Sequence, residues 1–356
     1  MGTTLIVGQG IAGTLLTHFL LQAGGEVLVI DDAHQGASSR AAAGVINPIT
    51  GRHYVKSWRV DELLPFARQT YQALEQQLGS RFYHERHVLR TMSSPKEVND
   101  WSLRTLEPNY APYIAEDAEP GAYARHTTPP LAYGEVLQGA QVNLPLLIQR
   151  YQHFLAQENC LQLEWFDFAQ LVIQSDGIRY KNHTADRIIF CDGAKAKTNP
   201  FFCYLPFHGD KGEALIVRIP GARFEKILKQ QIFIVPLGAD DLYWVGATYQ
   251  RHFANDQPSE YGLNFLQEHL NAVLNIPYEI VEHWAAIRPT VRDRRPLLGL
   301  HPRFPQLGIF NGLGTKGASL GPYWAKHFTD FLTQATPIDA EVDIQRFLSF
   351  LPAIST

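Results

Sequence analysis

The first thirty residues alternate apolar runs and polar turns in the order strand, helix, strand. An apolar run at 4–7 precedes a glycine-rich turn, and leucine and phenylalanine side chains then recur on one helical face over 12–23. Gly24 and Gly25 end this stretch as a left-handed helix cap would. A second apolar run, 26–30, leads into two aspartates. The pattern predicts a βαβ unit at the start of the chain.

Further along, helical and strand-like patterns alternate without an internal repeat. Amphipathic spacing predicts helices over 60–78, over 144–157 and from near Ser319 past Phe331. The stretch 107–130, rich in proline and tyrosine, predicts irregular surface structure or a lid. Short apolar runs predict strands at 161–166, 171–173, 187–191, 215–217, 232–235, 243–247 and 307–310.

The turn after the first strand carries the glycine spacing of a dinucleotide-binding loop. Gly8 allows the tight turn, Gly10 lets the backbone approach a pyrophosphate, and Gly13 lets helix and strand pack closely. Ile11 and Ala12 begin the helix, whose free N–H groups attract phosphates.

Two aspartates end the second strand of this unit. Asp31 is placed to accept both ribose hydroxyls, and Asp32 is the weaker candidate because strand alternation turns it elsewhere. An acid at this place disfavours a 2′-phosphate. FAD and NAD therefore stay open as ligands, whereas NADP is disfavoured.

Composition narrows the class of protein. The 356 residues have a formal charge of −4, with 45% hydrophobic and 19% charged residues, as in a globular protein. This balance argues against a nucleic-acid-binding protein, which needs a basic excess. Three cysteines without paired spacing argue against a disulfide framework and favour a reducing compartment. No stretch reaches the roughly 20 apolar residues of a spanning helix. We expect a cytoplasmic protein without an integral membrane segment.

Two further segments fit a bulky cofactor. A loop of small residues after Asp32 leaves room for a ligand against its backbone, although a flexible surface loop would look similar; its candidates are Ser38, Ser39, Arg40, Ala43 and Gly44. A second glycine turn follows the strand at 307–310 and leads into another helix; its candidates are Gly312, Leu313, Gly314, Thr315, Lys316 and Gly317. A plain NAD-binding fold has no such second turn.

Taken together, these segments resemble the FAD-dependent amine and amino-acid oxidase family, which includes D-amino-acid oxidase, glycine oxidase and sarcosine oxidase. The resemblance rests on matches spread over nearly the whole chain in the family's order. They are GQGIAG with Asp31, SSRAAAG at 38–44, ADRIIFCDGA at 185–194, IFIVPLG and LYWVGATYQ within 232–250, AAIRPTVRDRRPLLG at 285–299, and NGLGTKGASLGP at 311–322.

The resemblance implies an α/β fold with a discontinuous FAD-binding Rossmann-like domain and an α+β substrate domain built on an antiparallel sheet. Carried over, the FAD-binding domain takes 1–80, 140–205 and 290–356. The substrate domain takes 81–139 and 206–289, with its sheet over the flavin.

The same resemblance implies roles for two cations. Arg288 corresponds to the arginine that grips the substrate carboxylate in amino-acid-oxidising members, although an arginine there would also suit an ion pair at a strand end. The second glycine turn would supply N–H groups to the reduced flavin, and Lys316 would add a positive charge or be solvated. Leu313 departs from the histidine that many relatives carry.

Other side chains are weaker candidates. Asn47 suits a turn before Pro48 better than a flavin contact. Possible pocket residues are His53, Tyr54, Tyr249 and His252, whereas Trp58, Trp244 and Trp284 are expected to serve packing. We expect no metal site. Because no cysteine follows Cys203 and 36–44 holds no histidine, we expect FAD to be bound non-covalently.

The sequence thus predicts an enzyme: an FAD-dependent oxidoreductase that takes a hydride from the carbon next to nitrogen in a small amine or amino acid. The imine would then hydrolyse. The partner is a small, carboxylate-bearing substrate, with O2 or another carrier as electron acceptor. Alternatives on the same fold are 2-hydroxy-acid oxidation, oxidation of carboxymethylaminomethyl-uridine in tRNA, and a non-catalytic flavin-binding subunit. An NAD dehydrogenase is the remaining alternative.

Overall fold

The computed structural model of the chain describes residues 2–34, 36–238 and 240–352. Within them it has eight α-helices: α1 (Ile11–Gln22), α2 (Ser38–Ala41), α3 (Val60–Leu78), α4 (Pro95–Thr105), α5 (Tyr123–His126), α6 (Leu144–Gln157), α7 (Glu260–Val273) and α8 (Gly317–Gln334).

The strands of the same residues form two large sheets and three small ones. They are β1 (Thr3–Val7), β2 (Glu26–Asp31), β3 (Val45–Ile46), β4 (Ile49–Thr50), β5 (Val55–Lys56), β6 (Tyr83–Glu85), β7 (Val88–Met92), β8 (Ala132–Val136), β9 (Ala140–Val142), β10 (Leu161–Leu163), β11 (Leu171–Ile173), β12 (Ile178–Tyr180), β13 (His183–Ala185), β14 (Arg187–Phe190), β15 (Asp210–Arg218), β16 (Ile227–Lys229), β17 (Phe233–Pro236), β18 (Leu242–Gly246), β19 (Glu279–Arg288), β20 (Leu297–His301) and β21 (Phe304–Asn311).

A six-stranded sheet carries the predicted nucleotide site. Its order is β10-β2-β1-β14-β21-β20, and all neighbouring pairs are parallel except β21 and β20. The strands β1 and β14 are buried at every position except the first, as expected for strands covered on both faces. The carboxyl ends of β1, β2 and β21 therefore share one edge of this sheet, where a ligand is expected.

Helix α1 packs on that sheet, and two more helices pack beside it in turn. The helix α1 packs against α8, and α8 packs against α3. Ten consecutive residues of α1, from Ile11 to Leu20, are buried, which suits a helix enclosed on all sides. Gly321 of α8 lies against Leu15 of α1 with no space for a larger side chain. This close packing brings the N-termini of α1 and α8 to the same edge of the sheet.

A seven-stranded sheet, which we name the roof sheet, has the order β19-β15-β18-β17-β16-β7-β8. Its neighbours are antiparallel except for β16 and β7, which are parallel. One face packs on α7, whose first turn is capped by the Ser259 hydroxyl accepting from Gly262 N–H. The opposite face is turned to the cavity described below.

The predicted α/β fold class is confirmed, with the Rossmann-like sheet and a second, largely antiparallel sheet. Strands of the first sheet lie within 3–31, 161–190 and 297–311, and those of the roof sheet within 88–136 and 210–288. The division into domains at the residue boundaries given above stays a prediction. Residues 1, 35 and 353–356 of the predicted FAD-binding domain and residue 239 of the predicted substrate domain lie outside the described residues.

Candidate active site

A cavity of about 920 Å³ lies between the two large sheets. This volume is near the upper end of the range of roughly 300–1,000 Å³ for ligand pockets. Its lining comes from both glycine turns, the small-residue loop and the roof sheet. The predicted residues that line it are Gly8, Gly10, Ile11, Ala12, Asp31, Asp32, Ser38, Ser39, Arg40, Ala43, Gly44, Arg288, Leu313, Gly314, Thr315 and Gly317. The two glycine turns therefore meet at one cavity, although about 300 residues separate them.

Three of the predicted residues do not line this cavity. Gly13 supports it from behind, because a Cβ at this position would lie 1.8 Å from the carbonyl oxygen of Gly8. In the second turn, Gly312 holds a positive φ of 73° and is packed against Val291. Lys316 directs Nζ at the hydroxyl oxygen of Ser57, 3.2 Å away.

The first turn presents backbone to the cavity. Gly8 has a φ of 98°, which favours glycine, and its N–H donates to the carbonyl of Ile30. The N–H of Ile11 donates to the Ser39 hydroxyl at 3.1 Å, which ties the turn to the small-residue loop. The first N–H groups of a helix have no acceptor within the helix itself. This arrangement suits a pyrophosphate.

The two aspartates after β2 differ in their surroundings. Asp31 accepts hydrogen bonds from Gln9 N–H at 2.6 Å and Ala33 N–H at 2.7 Å, one on each carboxylate oxygen. Each oxygen keeps a further lone pair for a ligand hydroxyl. Asp32 is paired with Lys195 at 2.5 Å. The carboxylate of Asp31 is therefore the better placed for a ribose.

A buried acid supports the second turn. Asn311 donates from Nδ2 to Asp192 and to the carbonyl of Gly193, both at 3.0 Å, and its Oδ1 accepts from Gly312 N–H. Asp192 also accepts from Asn199. Burial raises the pKa of Asp192 to about 6, although these amides lower it. Sequence reasoning missed this pair, whose members lie 119 residues apart.

Lys316 lies close to other cations on the outer side of its turn. Burial lowers the pKa of Lys316, and Arg294 and Arg295 lower it further. Arg295 lies over the ring of Trp58, which stacks on Trp324. Lys316 does not line the cavity.

Small side chains let the roof sheet approach the cavity. Gly212, Ala214 and Ala286 line it, and Trp244 covers Gly246 so closely that no side chain fits there. Trp244 donates from Nε1 to the carbonyl of Ala41 at 2.9 Å, which joins the roof sheet to the small-residue loop. Trp244 and Trp284, expected to serve packing, both line the cavity.

Arg288 is the principal cation of this face. Its guanidinium lies over Gly212 and donates from Nη2 to the carbonyl of Thr248 at 3.1 Å. The Nη1 atom is buried and has no hydrogen-bond partner among the described residues. Burial lowers the pKa of Arg288, while Tyr249 and Asp210 raise it. A buried guanidinium donor without a hydrogen-bond partner is energetically costly, and a bound anion would offset that cost.

Asp210 and Tyr249 form a small network beside Arg288. The hydroxyl groups of Tyr249 and Thr290 each donate to Asp210 at 2.5 Å. The guanidinium carbon of Arg288 lies 5.5 Å from the centre of the Tyr249 ring. Both hydroxyls donate to Oδ2, whereas Oδ1 has no hydrogen-bond partner among the described residues, and Asp210 forms no ion pair with Arg288 within 4 Å.

Of the weaker candidates, some line the cavity and others lie elsewhere. Tyr249 lines the cavity, whereas His53 and His252 are exposed elsewhere and Tyr54 is buried against Trp101. Asn47 accepts from Ile49 N–H, as a turn-forming asparagine does. Sequence reasoning missed Lys229 and Phe233, which both line the cavity.

The described residues offer neither a metal site nor a membrane-spanning helix. No group of three or more histidine, cysteine, aspartate or glutamate side chains is arranged to hold a metal ion in this part of the chain. Nor does any helix described here have the length and apolarity needed to cross a membrane.

Comparison with known proteins agrees with this geometry. The model of the family described as "DAO: FAD dependent oxidoreductase" matches residues 3–331. Glycine oxidase of Pseudomonas putida is 24% identical, covering 94% of this chain and 95% of its own. Glycine oxidase of Bacillus licheniformis is also 24% identical, over 95% of this chain and 94% of its own.

Solved structures share the fold. Glycine oxidase from Geobacillus kaustophilus superposes with a TM-score of 0.80 at 21% identity, covering 98% of both chains. Iminodiacetate oxidase from Chelativorans superposes with a TM-score of 0.78 at 21% identity, covering 97% of this chain and 98% of the other.

Proposed function

The chain belongs to the FAD-dependent oxidoreductase family, and from that premise we propose that it oxidises the carbon–nitrogen bond of a small amine or amino acid bearing a carboxylate. The family membership makes it an FAD-dependent enzyme of the amino-acid oxidase type. The observation that carries the proposal is Arg288, which lines the cavity and whose buried Nη1 has no hydrogen-bond partner among the described residues.

The residues that line the cavity fit FAD. The first turn and Asp31 suit the pyrophosphate and ribose, and the turn from Gly312 to Gly317 suits the other end of the cofactor. The orphaned Arg288 donor and the space left by Gly212 lie opposite that second turn, on the roof sheet. FAD, when bound, supplies a two-electron acceptor for hydride.

The chain's own residues would then bind and orient the substrate. Arg288 would hold the carboxylate through two charge-assisted hydrogen bonds, with Nη1 free and Nη2 shared with Thr248. Tyr249, fixed by Asp210, would close the pocket beside it. Trp244 and Trp284 would exclude water from the reacting carbon. The N–H groups of the second turn and the charge of Lys316 would stabilise negative charge developing on the cofactor.

Loss of hydride from the carbon next to nitrogen leaves an imine, which water hydrolyses to a carbonyl compound and ammonia or an amine. The two electrons leave to O2 or another carrier. The same arginine would serve a 2-hydroxy acid equally well. The net charge of −4 offers no general attraction for tRNA, which makes oxidation of a tRNA base the weaker alternative.

The test is anaerobic mixing of the purified holoenzyme with glycine, sarcosine, both enantiomers of several amino acids, and lactate. We expect at least one amino acid to remove the visible absorbance of oxidised flavin, and the matching amine without a carboxylate to react far more slowly. Readmitting air and measuring peroxide identifies oxygen as acceptor. Reduction by lactate alone would favour the hydroxy-acid alternative, and reduction by no compound would contradict the proposal.

Arg288→Met tests the role of the guanidinium, with Arg288→Lys as the control that keeps the charge. We expect KM for a carboxylated substrate to rise by more than about tenfold in the methionine variant. The lysine variant should recover part of the loss, because lysine lacks the planar pair of donors. Unchanged KM in Arg288→Met would contradict carboxylate binding by this residue.

A further inference from the structure

Lys229 is a second cation on the cavity-facing side of the roof sheet. It lies at the end of β16 and lines the same cavity as Arg288. Its Nζ lies 4.5 Å from the centre of the Phe233 ring and donates to the carbonyl of Gln231 at 2.9 Å. An ammonium group has three donors, so one backbone acceptor leaves most of its capacity for a ligand.

No carboxylate of the described residues neutralises the ammonium of Lys229. Among the described residues, Lys229 takes part in no ion pair within 4 Å, and the residue directly opposite it on β7 is Arg90, another cation. Arg90 itself donates to the carbonyl of Gly51 and lies over the ring of Tyr54. Burial, together with the smaller effect of the charge on Arg90, lowers the pKa of Lys229 to about 8. A desolvated cation beside another cation is costly unless an anion offsets it.

The position of Lys229 relative to Arg288 follows from strand register. Phe233 is paired with Gly246, and Gly246 is paired with Ala214, two residues from Gly212. The ammonium lies over Phe233 and the guanidinium over Gly212. These two strand positions are two strands and two residues apart, about 12 Å by standard sheet spacing. Directly paired residues share a face, so both cations are on the same side of the sheet.

The surface between the two cations is apolar. Ala214 and the ring of Trp244, which covers Gly246, occupy it. Anions bound to the two cations would lie inward of both, and so closer together than the cations themselves. A short aliphatic chain would pack on the alanine and the indole between them. The arrangement matches a ligand with a carboxylate at each end and a few atoms between.

We propose that Lys229 binds a second carboxylate of the substrate, so that the enzyme is specific for a small dicarboxylic amine or amino acid. This inference rests on the proposed oxidation at the same site and names its substrate class. Phe233 holds the ammonium by a cation–π contact, Arg288 takes the carboxylate next to the reacting carbon, and Lys229 takes the distal one. Lys229 is thus a specificity-determining residue.

The first test uses binding alone and needs no turnover. Glutarate and butyrate have a similar length, but only glutarate has two carboxylates. Calorimetric titration of the holoenzyme should show glutarate binding more than about tenfold tighter than butyrate. Lys229→Met should abolish this preference and leave FAD content unchanged. Lys229→Arg should keep part of it, and Lys96→Met, at an exposed helix position, should keep all of it.

The second test compares dicarboxylic compounds with compounds that have one carboxylate, namely two amides and sarcosine. Aspartate and glutamate of both hands, and iminodiacetate, are compared with asparagine, glutamine and sarcosine by anaerobic flavin reduction. We expect the dicarboxylic compound to be preferred, and Lys229→Met to raise its KM by more than about tenfold while leaving the values for the amides unchanged.

The outcomes separate this inference from the proposed oxidation. Reduction by amino acids with no effect of Lys229→Met on the choice between acid and amide would overturn the role of Lys229 and leave the oxidation standing. Glutarate binding that depends on Lys229, without reduction by any amine, would support the anion site and contradict the oxidation. Loss of FAD from Lys229→Met would assign the lysine to the cofactor and overturn the inference.

Discussion

Arg288 occupies the space above Gly212 on the neighbouring strand. A Cβ built on Gly212 would lie 2.0 Å from Nη2 of Arg288, so the absence of a side chain at residue 212 is what allows the guanidinium to reach the cavity in this orientation. The two residues form one functional unit although 76 residues separate them.

Gly212→Ala should therefore impair carboxylate binding without removing the arginine. We expect KM for a carboxylated substrate to rise by more than about tenfold, with normal FAD content, because the guanidinium must move. The measurement is steady-state kinetics on Gly212→Ala, Arg288→Met and the double variant. Since both changes act on one interaction, the double variant should be no worse than Arg288→Met. Additive losses would contradict this.

Two glycines of the first turn should respond differently to alanine. At Gly10 the backbone is extended and a Cβ meets only the Ser39 hydroxyl, at 3.3 Å, but it would project where a pyrophosphate is expected. At Gly13 a Cβ would lie 1.8 Å from the carbonyl of Gly8. We expect Gly10→Ala to fold normally and lose more than about tenfold in FAD affinity, and Gly13→Ala to lower the melting temperature of the apoprotein as well.

Fluorescence titration with FAD and thermal melts of apoprotein distinguish the two cases. Equal melting temperatures for the apoproteins of Gly13→Ala and wild type would contradict the packing role of Gly13. Undiminished FAD affinity in Gly10→Ala would contradict the placement of the pyrophosphate.

The loss of the proton from Asp192 should lower the free energy of unfolding as pH rises from about 4 to about 6. Its pKa is about 6 in the folded protein against 3.8 in an unfolded chain, so the folded state binds the proton more tightly in this window. The stabilisation from that proton is present below the unfolded pKa and is lost as pH rises through the folded pKa, a loss of about 3 kcal/mol. Chemical denaturation of Asp192→Asn, compared with wild type across this range, should lack this loss. If the free energy of unfolding changed with pH equally in Asp192→Asn and wild type, this prediction would be contradicted.

Glutarate binding should weaken as Lys229 loses its proton. With a pKa of about 8, the lysine is mostly charged at pH 7 and mostly neutral at pH 9, so the dissociation constant should rise roughly tenfold between them. Arg90 is the charged group opposite Lys229, and glutarate does not titrate in this range. Calorimetry on Lys229→Met should show no such dependence. An equal rise in this variant would place the titrating group elsewhere.

FAD should leave the protein on denaturation. The described cysteine on the cavity, Cys191, lies next to the first turn, because its carbonyl oxygen would be 2.6 Å from a Cβ on Gly8. It therefore lies beside the first turn, where the nucleotide is expected. Acid precipitation should release a yellow supernatant and leave a colourless pellet. Colour retained by the washed pellet would contradict non-covalent binding.

The sequence predicts those parts of the site that depend on local backbone. The turn at Gly8 and the turn at Gly314 each need a residue with positive φ and an adjoining helix. The spacing of the glycines in the sequence indicates both turns directly. Arg288 follows from a motif of neighbouring residues. In each case a short stretch of chain contains the whole signal.

Residues whose role depends on sheet register are harder to predict. The strand β18 is apolar at nearly every position, so no alternation indicates that Trp244 faces the cavity. Only the pairing of Lys229 with Phe233 on the neighbouring strand shows that the lysine lies on the cavity side of the sheet. For Lys316 the glycine turn predicts where the backbone lies, but the direction of the side chain depends on Ser57, 259 residues away.

The hydrogen bond from Trp244 to Ala41 joins two regions 203 residues apart directly over the cavity. The small-residue loop and the roof sheet must both be in place before this contact can form, and together they cover what lies between them. Both residues line the cavity, so the contact closes over the space in which FAD would bind. A ligand that binds the folded state and not the unfolded one stabilises the fold by mass action, so resistance to heat should increase with the concentration of free FAD.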